Sequence, residues 1–213
     1  MRDIQILRVS SVPAFIAPCI PTRVARPPGG DGWIHEPKLD GWRVQVLKHD
    51  DRIAIFTRTG RIISNRVPDL IDLCHGLKAR SCVLDGELLG IGADGQANFW
   101  HLQRTMLSRR AEHVSLAVFD LLHLDGDDTR RDPLLARKEL LRQVVKGTDG
   151  SVMFVDHFPD GAALLAAADG LGIEGVVSKR AAAGYQSGRS RLWVKVKTKS
   201  WLALNAQRWE HFS

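Results

Sequence analysis

Residues 42–58 alternate apolar and polar side chains along two arms joined by a polar turn. Val44 and Val46 recur on one arm, Lys48-His49-Asp50-Asp51 turns the chain, and Ile53 and Ile55 recur on the return. A repeat of two places alternate side chains on opposite faces, so the pattern predicts an antiparallel β-hairpin. The same reading predicts a short strand over 33–36 and a second hairpin, 82–91 with 97–99, around Gly92-Ala93-Asp94-Gly95. Leu116 to Leu122 is almost continuously apolar, as in a strand buried on both faces. Helices are predicted over 68–77 and 100–108, from an Asp132-Pro133 start to Val145, and from Asp160-Gly161 to Asp169. Further strands are expected over 152–158, 173–179 and 192–197, with a polar, basic, mobile loop over 184–191. Strand hairpins come first and helices later, without regular βαβ alternation. The fold class is therefore α+β, antiparallel β-sheets flanked by helices, rather than a doubly wound parallel sheet.

Composition narrows the function. The 213 residues can bury a substantial core, and the 44% apolar content is that of a globular protein. The formal charge of +6 is compatible with a polyanionic partner. No stretch is long and apolar enough for a membrane-spanning helix, and Met1 to Ser10 lacks the apolar core of a secretory signal. Cys19, Cys74 and Cys82 are odd in number and unpaired in spacing, which reads as buried thiols in a reducing cytoplasm. The eight histidines form no zinc-type pair.

Six segments carry polar chemistry: Glu36-Pro37-Lys38-Leu39-Asp40-Gly41-Trp42-Arg43, Thr57-Arg58-Thr59-Gly60, Leu84-Asp85-Gly86-Glu87, Val118-Phe119-Asp120-Leu121-Leu122, Ile173-Glu174-Gly175-Val176-Val177, and Trp193-Val194-Lys195-Val196-Lys197. Each alone is ordinary. Asp-Gly-Glu is a common turn, Phe119 reads as core, and Lys195 and Lys197 alternate with valines as on a solvent-facing strand. Their order is informative: a lysine, an arginine, a carboxylate, an aromatic ring, a second carboxylate and paired lysines. A free lysine titrates near 10.4, so roughly one in a few thousand is an uncharged amine at neutral pH. Nearby cations and a bound metal disfavour the ammonium and favour a nucleophilic lysine.

On these motifs the chain resembles the adenylation (nucleotidyltransferase) domain of ATP-dependent DNA ligases, of the bacterial end-joining type. The Lys-x-Asp-Gly-x-Arg signature is Lys38, Asp40, Gly41 and Arg43, and the remaining elements follow in family order across 11–200. The resemblance implies an ATP-grasp-like nucleotidyltransferase fold. It implies that Lys38 attacks the α-phosphorus of ATP and carries AMP, which passes to the 5′-phosphate of a nick before a 3′-hydroxyl displaces it. Glu36 would accept a hydrogen bond from the adenine amino group and Phe119 would stack on the ring. Arg43 and Arg58 would hold the ribose side, the phosphates or the nick 5′-phosphate. Glu87 would touch the ribose or a metal, and Glu174 would bind Mg²⁺ or Mn²⁺. Lys195 and Lys197 would contact the α-phosphate and disfavour the Lys38 ammonium by like-charge repulsion. Asp85 is a weaker metal candidate and Arg191 a weaker phosphate candidate. Lys179, Arg180, Arg189 and Arg191 form a basic run that could grip DNA phosphates or simply face solvent.

The implied organisation is an extended lead-in over 1–30, the adenylation domain over 31–200 and a tail over 201–213. That leaves no OB-fold domain, the domain that supplies the pyrophosphate-orienting motif of full-length ligases. The first adenylation step and DNA encirclement are the functions this touches. The expected partners are nicked double-stranded DNA and an end-joining or repair protein supplying OB-domain function. The expected state is a monomer in the bacterial cytoplasm, associated with the nucleoid. Two alternatives remain: an RNA ligase or other adenylyltransferase, and a catalytically impaired nick-binding module.

Overall fold

The computed structural model describes residues 13–107, 113–148 and 150–206. Met1 to Ser10, Ser108 and the tail from 207 lie outside the described residues. Among the described residues nine strands run in chain order: β1 (Cys19–Arg23), β2 (Trp33–Lys38), β3 (Trp42–His49), β4 (Arg52–Thr57), β5 (Ser81–Gly90), β6 (Val114–Leu124), β7 (Val152–Phe154), β8 (Gly175–Arg180) and β9 (Gly188–Lys197). Five α-helices among the described residues accompany them: α1 (Pro68–Cys74), α2 (Phe99–Leu107), α3 (Leu134–Val144), α4 (Gly161–Gly170) and α5 (Lys199–Leu204). The strands form a four-stranded sheet, β1-β9-β8-β2, and a five-stranded sheet, β4-β3-β5-β6-β7.

The five-stranded sheet is apolar on both sides, which is why β6 reads as an unbroken hydrophobic run. On one face Val44, Val46, Ile53, Ile55 and Leu84 pack with Leu70, Leu102 and Leu141 of α1, α2 and α3. On the other, Leu47, Ala54, Phe56, Val83 and Leu122 meet Cys19, Tyr185 and Trp193 of the smaller sheet's side. Successive residues of β3, β4 and β5 thus enter different cores, the structural outcome of the repeat of two.

Several expectations are corrected. Two strand pairs, β1 with β9 and β6 with β7, are parallel. The proline-rich lead-in contains β1. Pro21 is tolerated there because β1 is an edge strand and its register with β9 shifts between Pro21 and Thr22. The expected mobile loop ends at Gly188, where β9 begins, because β1 offers Cys19, Ile20 and Pro21 as partners for Gly188, Arg189 and Ser190. The second hairpin shortens to a single bridge between Ile91 and Ala97. Asp132 closes a 3-10 turn over Thr129–Arg131 and does not cap α3, which starts at Leu134 with no side-chain cap. The strand expected over 152–158 stops at Phe154. The chain then crosses to the other sheet, where Phe158 and His35 exchange backbone hydrogen bonds of 2.8 and 3.0 Å. No helix among the described residues is long and apolar enough to cross a membrane.

Candidate active site

A cleft of about 440 Å³ opens where the two sheets meet. Glu36, Lys38, Arg43, Arg58, Glu87, Phe119, Glu174, Lys195 and Lys197 all line it. Strand register explains the convergence. Lys38 ends β2 opposite Gly175 of β8, so Glu174 falls beside it. Gly175 pairs in turn with Lys197 of β9, and Val177 with Lys195. In the other sheet Arg43 pairs with Glu87.

Two glycines permit this closeness. A Cβ on Gly41 would collide with the Leu88 carbonyl oxygen, and one on Gly175 with that of Val196. Each glycine adjoins a site segment, so a larger residue would push Lys38 or Glu174 off its strand. The turn after Lys38 is also held from outside, since Trp201 of α5 donates its indole Nε1–H to Asp40 Oδ2 at 3.1 Å.

Glu174 is the electrostatic centre of the charged end of the cleft. It is 5% exposed, accepts from Lys38 Nζ at 2.5 Å and lies 3.0 Å from Lys197 Nζ. Burial lowers the pKa of Lys195, and the charges of Lys38, Lys197 and Arg58 lower it further against the pull of Glu174. The Glu87 carboxyl is pushed up to about 7, first by burial and then by Glu174 and Asp85, against the opposing effect of Lys38 and Arg43. A cation beside it would favour the ionised form. The described residues hold no group of three or more metal-ligating side chains. Glu87 and Glu174 both line the cleft and carry the hard carboxylate oxygens that suit Mg²⁺ or Mn²⁺.

The other end of the cleft is aromatic. Phe119 of β6 and Trp193 of β9 meet edge to face at 6.1 Å, and Trp193 meets Tyr185 at 5.7 Å. Arg43 is locked in the wall behind them. It grips Asp85 with two hydrogen bonds of 2.9 and 2.6 Å and donates to the Cys19 carbonyl at 2.7 Å. The Tyr185 hydroxyl donates to the same Asp85 carboxylate at 2.6 Å. Both Asp85 oxygens are held in that wall and Asp85 does not line the cleft, so the geometry does not offer it as a metal ligand there. Arg58, just beyond β4, is exposed at the rim.

Glu36 is buried and bound by two lysines. Lys138 Nζ of α3 lies 2.6 Å from Oε1, and Lys179 Nζ of β8 lies 2.5 Å from Oε2. The Lys179 ammonium also sits 4.3 Å from the Phe119 ring centre and 4.0 Å from that of Trp193. At 1% exposure it cannot grip DNA phosphates, so that expectation is corrected. Arg180, Arg189 and Arg191 are exposed.

Sequence reading missed Lys138 and Trp201, and took Trp193 only as part of its motif. A signal for the first existed. Lys138 lies four residues after Leu134 and three before Leu141, on the buried stripe of α3. A lysine on an apolar helix face needs a buried partner. Asp120 was read only as part of its motif. It forms a fully buried, two-bond pair with Arg137 at 2.7 and 2.9 Å, tying β6 to α3.

Two sheets enclosing a cleft, with a strand-end lysine among carboxylates and cations at one end and aromatic rings at the other, define a nucleotidyltransferase domain. The chain belongs to the ATP dependent DNA ligase domain family, whose model matches residues 19–197. It is 35% identical over 188 residues to the multifunctional non-homologous end joining protein LigD of Pseudomonas aeruginosa, covering 87% of this chain and 22% of that protein. Its fold is similar to the ligase domain of M. tuberculosis LigD, with a TM-score of 0.75 and 30% identity over 85% of this chain and 59% of the other. A mycobacterial DNA ligase D complexed with ATP and MES matches with the same TM-score and identity, covering 85% and 60%. The chain spans 22% of the length of LigD and 38% of a probable DNA ligase from Beutenbergia cavernae.

Proposed function

We propose that this chain transfers adenylate from ATP to the 5′-phosphate at a nick in duplex DNA and directs closure of the strand. The lone pair of Lys38 Nζ attacks the α-phosphorus, the bond to the β-phosphate oxygen breaks, and pyrophosphate leaves. The 5′-phosphate of the nick then displaces Lys38, and a 3′-hydroxyl displaces AMP to form the phosphodiester. The observation that carries this reading is the position of Lys38 Nζ, inside the cleft and held at 2.5 Å by Glu174.

The roles of the other residues follow from charge and shape. Lys195, Lys197 and Arg58 offset phosphate charge as the transferred group passes through its transition state. A divalent ion held by Glu87 and Glu174 would supply further charge neutralisation at the α-phosphate and leaving group. Phe119 offers a flat apolar face to adenine, and Glu36 an acceptor to its amino group. Arg43, committed to Asp85, shapes the ribose side. The exposed arginines at the rim and on β9 suit the DNA backbone.

The proposed setting is end joining or repair in the bacterial cytoplasm, at the nucleoid, as a monomer. The proposed partner is a repair protein that helps enclose the DNA.

Intact-mass spectrometry after incubation with ATP and Mg²⁺ or Mn²⁺ tests the first step. The expected result is one AMP adduct, absent from Lys38→Ala. Absence of the adduct from the wild type, or its survival in Lys38→Ala, would overturn the assignment. Sealing of nicks with and without a pre-adenylated 5′ end separates the later steps, and equal trials on RNA strands separate DNA from RNA ligation.

A further inference from the structure

We propose that Lys138, which does not line the cleft, sets the nucleobase preference of the site by fixing the Glu36 carboxylate. The inference rests on the reading of Glu36 as the group that meets the base. Lys138 is 2% exposed, and its ammonium has two anchors, Glu36 Oε1 at 2.6 Å and the Val155 carbonyl oxygen at 2.8 Å. The Phe154 ring covers it at 4.5 Å. The two anchors come from β2 and from the crossing segment after β7, so the ammonium cannot follow Glu36 if the carboxylate turns.

Each Glu36 oxygen faces its own lysine. Oε1 points to Lys138 and Oε2 to Lys179. An ionised carboxylate has about four lone-pair directions, so two lysines leave acceptor capacity free. A carboxylate occupied in this way presents acceptors and no donor. The 6-amino group of adenine matches that. The 6-oxo group of guanine, itself an acceptor, is repelled. Removing Lys138 releases Oε1, so the carboxylate can turn toward Lys179 and away from the base. That change weakens adenine recognition and admits the oxo group. Lys138 is thus a positioning residue that acts through Glu36.

The test uses the whole chain and compares lysine–nucleotide adduct formation from ATP and GTP in wild type, Lys138→Met, Glu36→Gln and the double variant. Lys138→Met is expected to raise KM for ATP with kcat within about threefold, and to lower the ATP-over-GTP preference roughly tenfold or more, the scale of losing a polar recognition contact. Glu36→Gln is expected to lower the same preference. The double variant is expected to match Glu36→Gln, because Lys138 then has nothing to position. Loss of preference in Glu36→Gln but not in Lys138→Met would overturn the role of Lys138 alone. An unchanged preference in Glu36→Gln would overturn the reading of Glu36, and the proposal with it. If thermal melts show that Lys138→Met does not fold, Lys138→Gln takes its place against wild-type Glu36, with the same expected loss of preference and the same overturning result.

Discussion

Lys38 Nζ and Glu174 Oε2 lie 2.5 Å apart although 136 residues separate them in the chain. Antiparallel pairing of β2 with β8 creates the contact by setting Lys38 opposite Gly175. The same carboxylate reaches Lys197 at 3.0 Å, so one buried group holds both lysines together. Glu174→Ala leaves both lysines facing each other without a shared anion. Single-turnover adenylation should fall about 10²–10³-fold, the range for losing one preorganised electrostatic group. A decline below tenfold, with the fold intact by circular dichroism, would show that Lys38 does not depend on this contact.

Glu87 gives the metal-free protein a defined pH response. Its carboxyl rises from an ordinary 4.5 to about 7 on folding, chiefly through burial. Between these values the folded state holds a proton that the unfolded chain has released. The stabilisation is therefore fully present below 4.5 and is lost as pH rises through about 7. Thermal melts in the presence of a chelator should show wild-type Tm declining across this window more steeply than Glu87→Gln. Identical slopes would assign the titration to another group.

Asp85 is expected to matter more for stability than for metal binding. Asp85→Asn leaves the largely buried Arg43 guanidinium without its two-bond partner, a loss of roughly 3–5 kcal/mol by analogy with other broken buried pairs. Tyr185→Phe removes the hydroxyl bond to the same carboxylate and the acceptor of the buried Cys19 N–H, and should cost about 1–3 kcal/mol. Urea denaturation measures both, and a milder effect of Asp85→Asn than of Tyr185→Phe would contradict this ranking.

Phe119 should report on the base end of the cleft. Phe119→Leu keeps apolar volume but removes the flat face beside Lys179 and Trp193. Aromatic pairing adds about 0.5–1.5 kcal/mol beyond area, so KM for ATP should rise roughly 2- to 13-fold with kcat little changed. Steady-state adenylation over a range of ATP concentrations reads this directly, and an unchanged KM would place the base elsewhere.

The hairpin of β3 and β4 was legible because Val44, Val46, Ile53 and Ile55 alternate strictly, and one buried face permits one register. β6 was legible as a doubly buried strand. The polar segments could be read as one set from their order, and the structure gathers them around a single cleft. β1 was not legible. Its prolines read as irregular chain, and only an edge position with a shifted register accommodates Pro21. The start of β9 was hidden for a related reason, since Gly188 to Arg191 becomes a strand only when β1 lies beside it.

The chain's own order of residues determined the local elements and the chemical repertoire: alternating strands, a lysine with nearby carboxylates, and aromatic and basic residues at fixed places. These follow from side-chain type and period, which act over a few neighbours. Only the tertiary structure decided the pairings. It put Lys138 and Lys179 on Glu36, closed Arg43 onto Asp85 and Tyr185, and brought Trp201 to Asp40. Those contacts arise from burial, because a charge removed from water must find whichever opposite charge the packed strands and helices bring within reach.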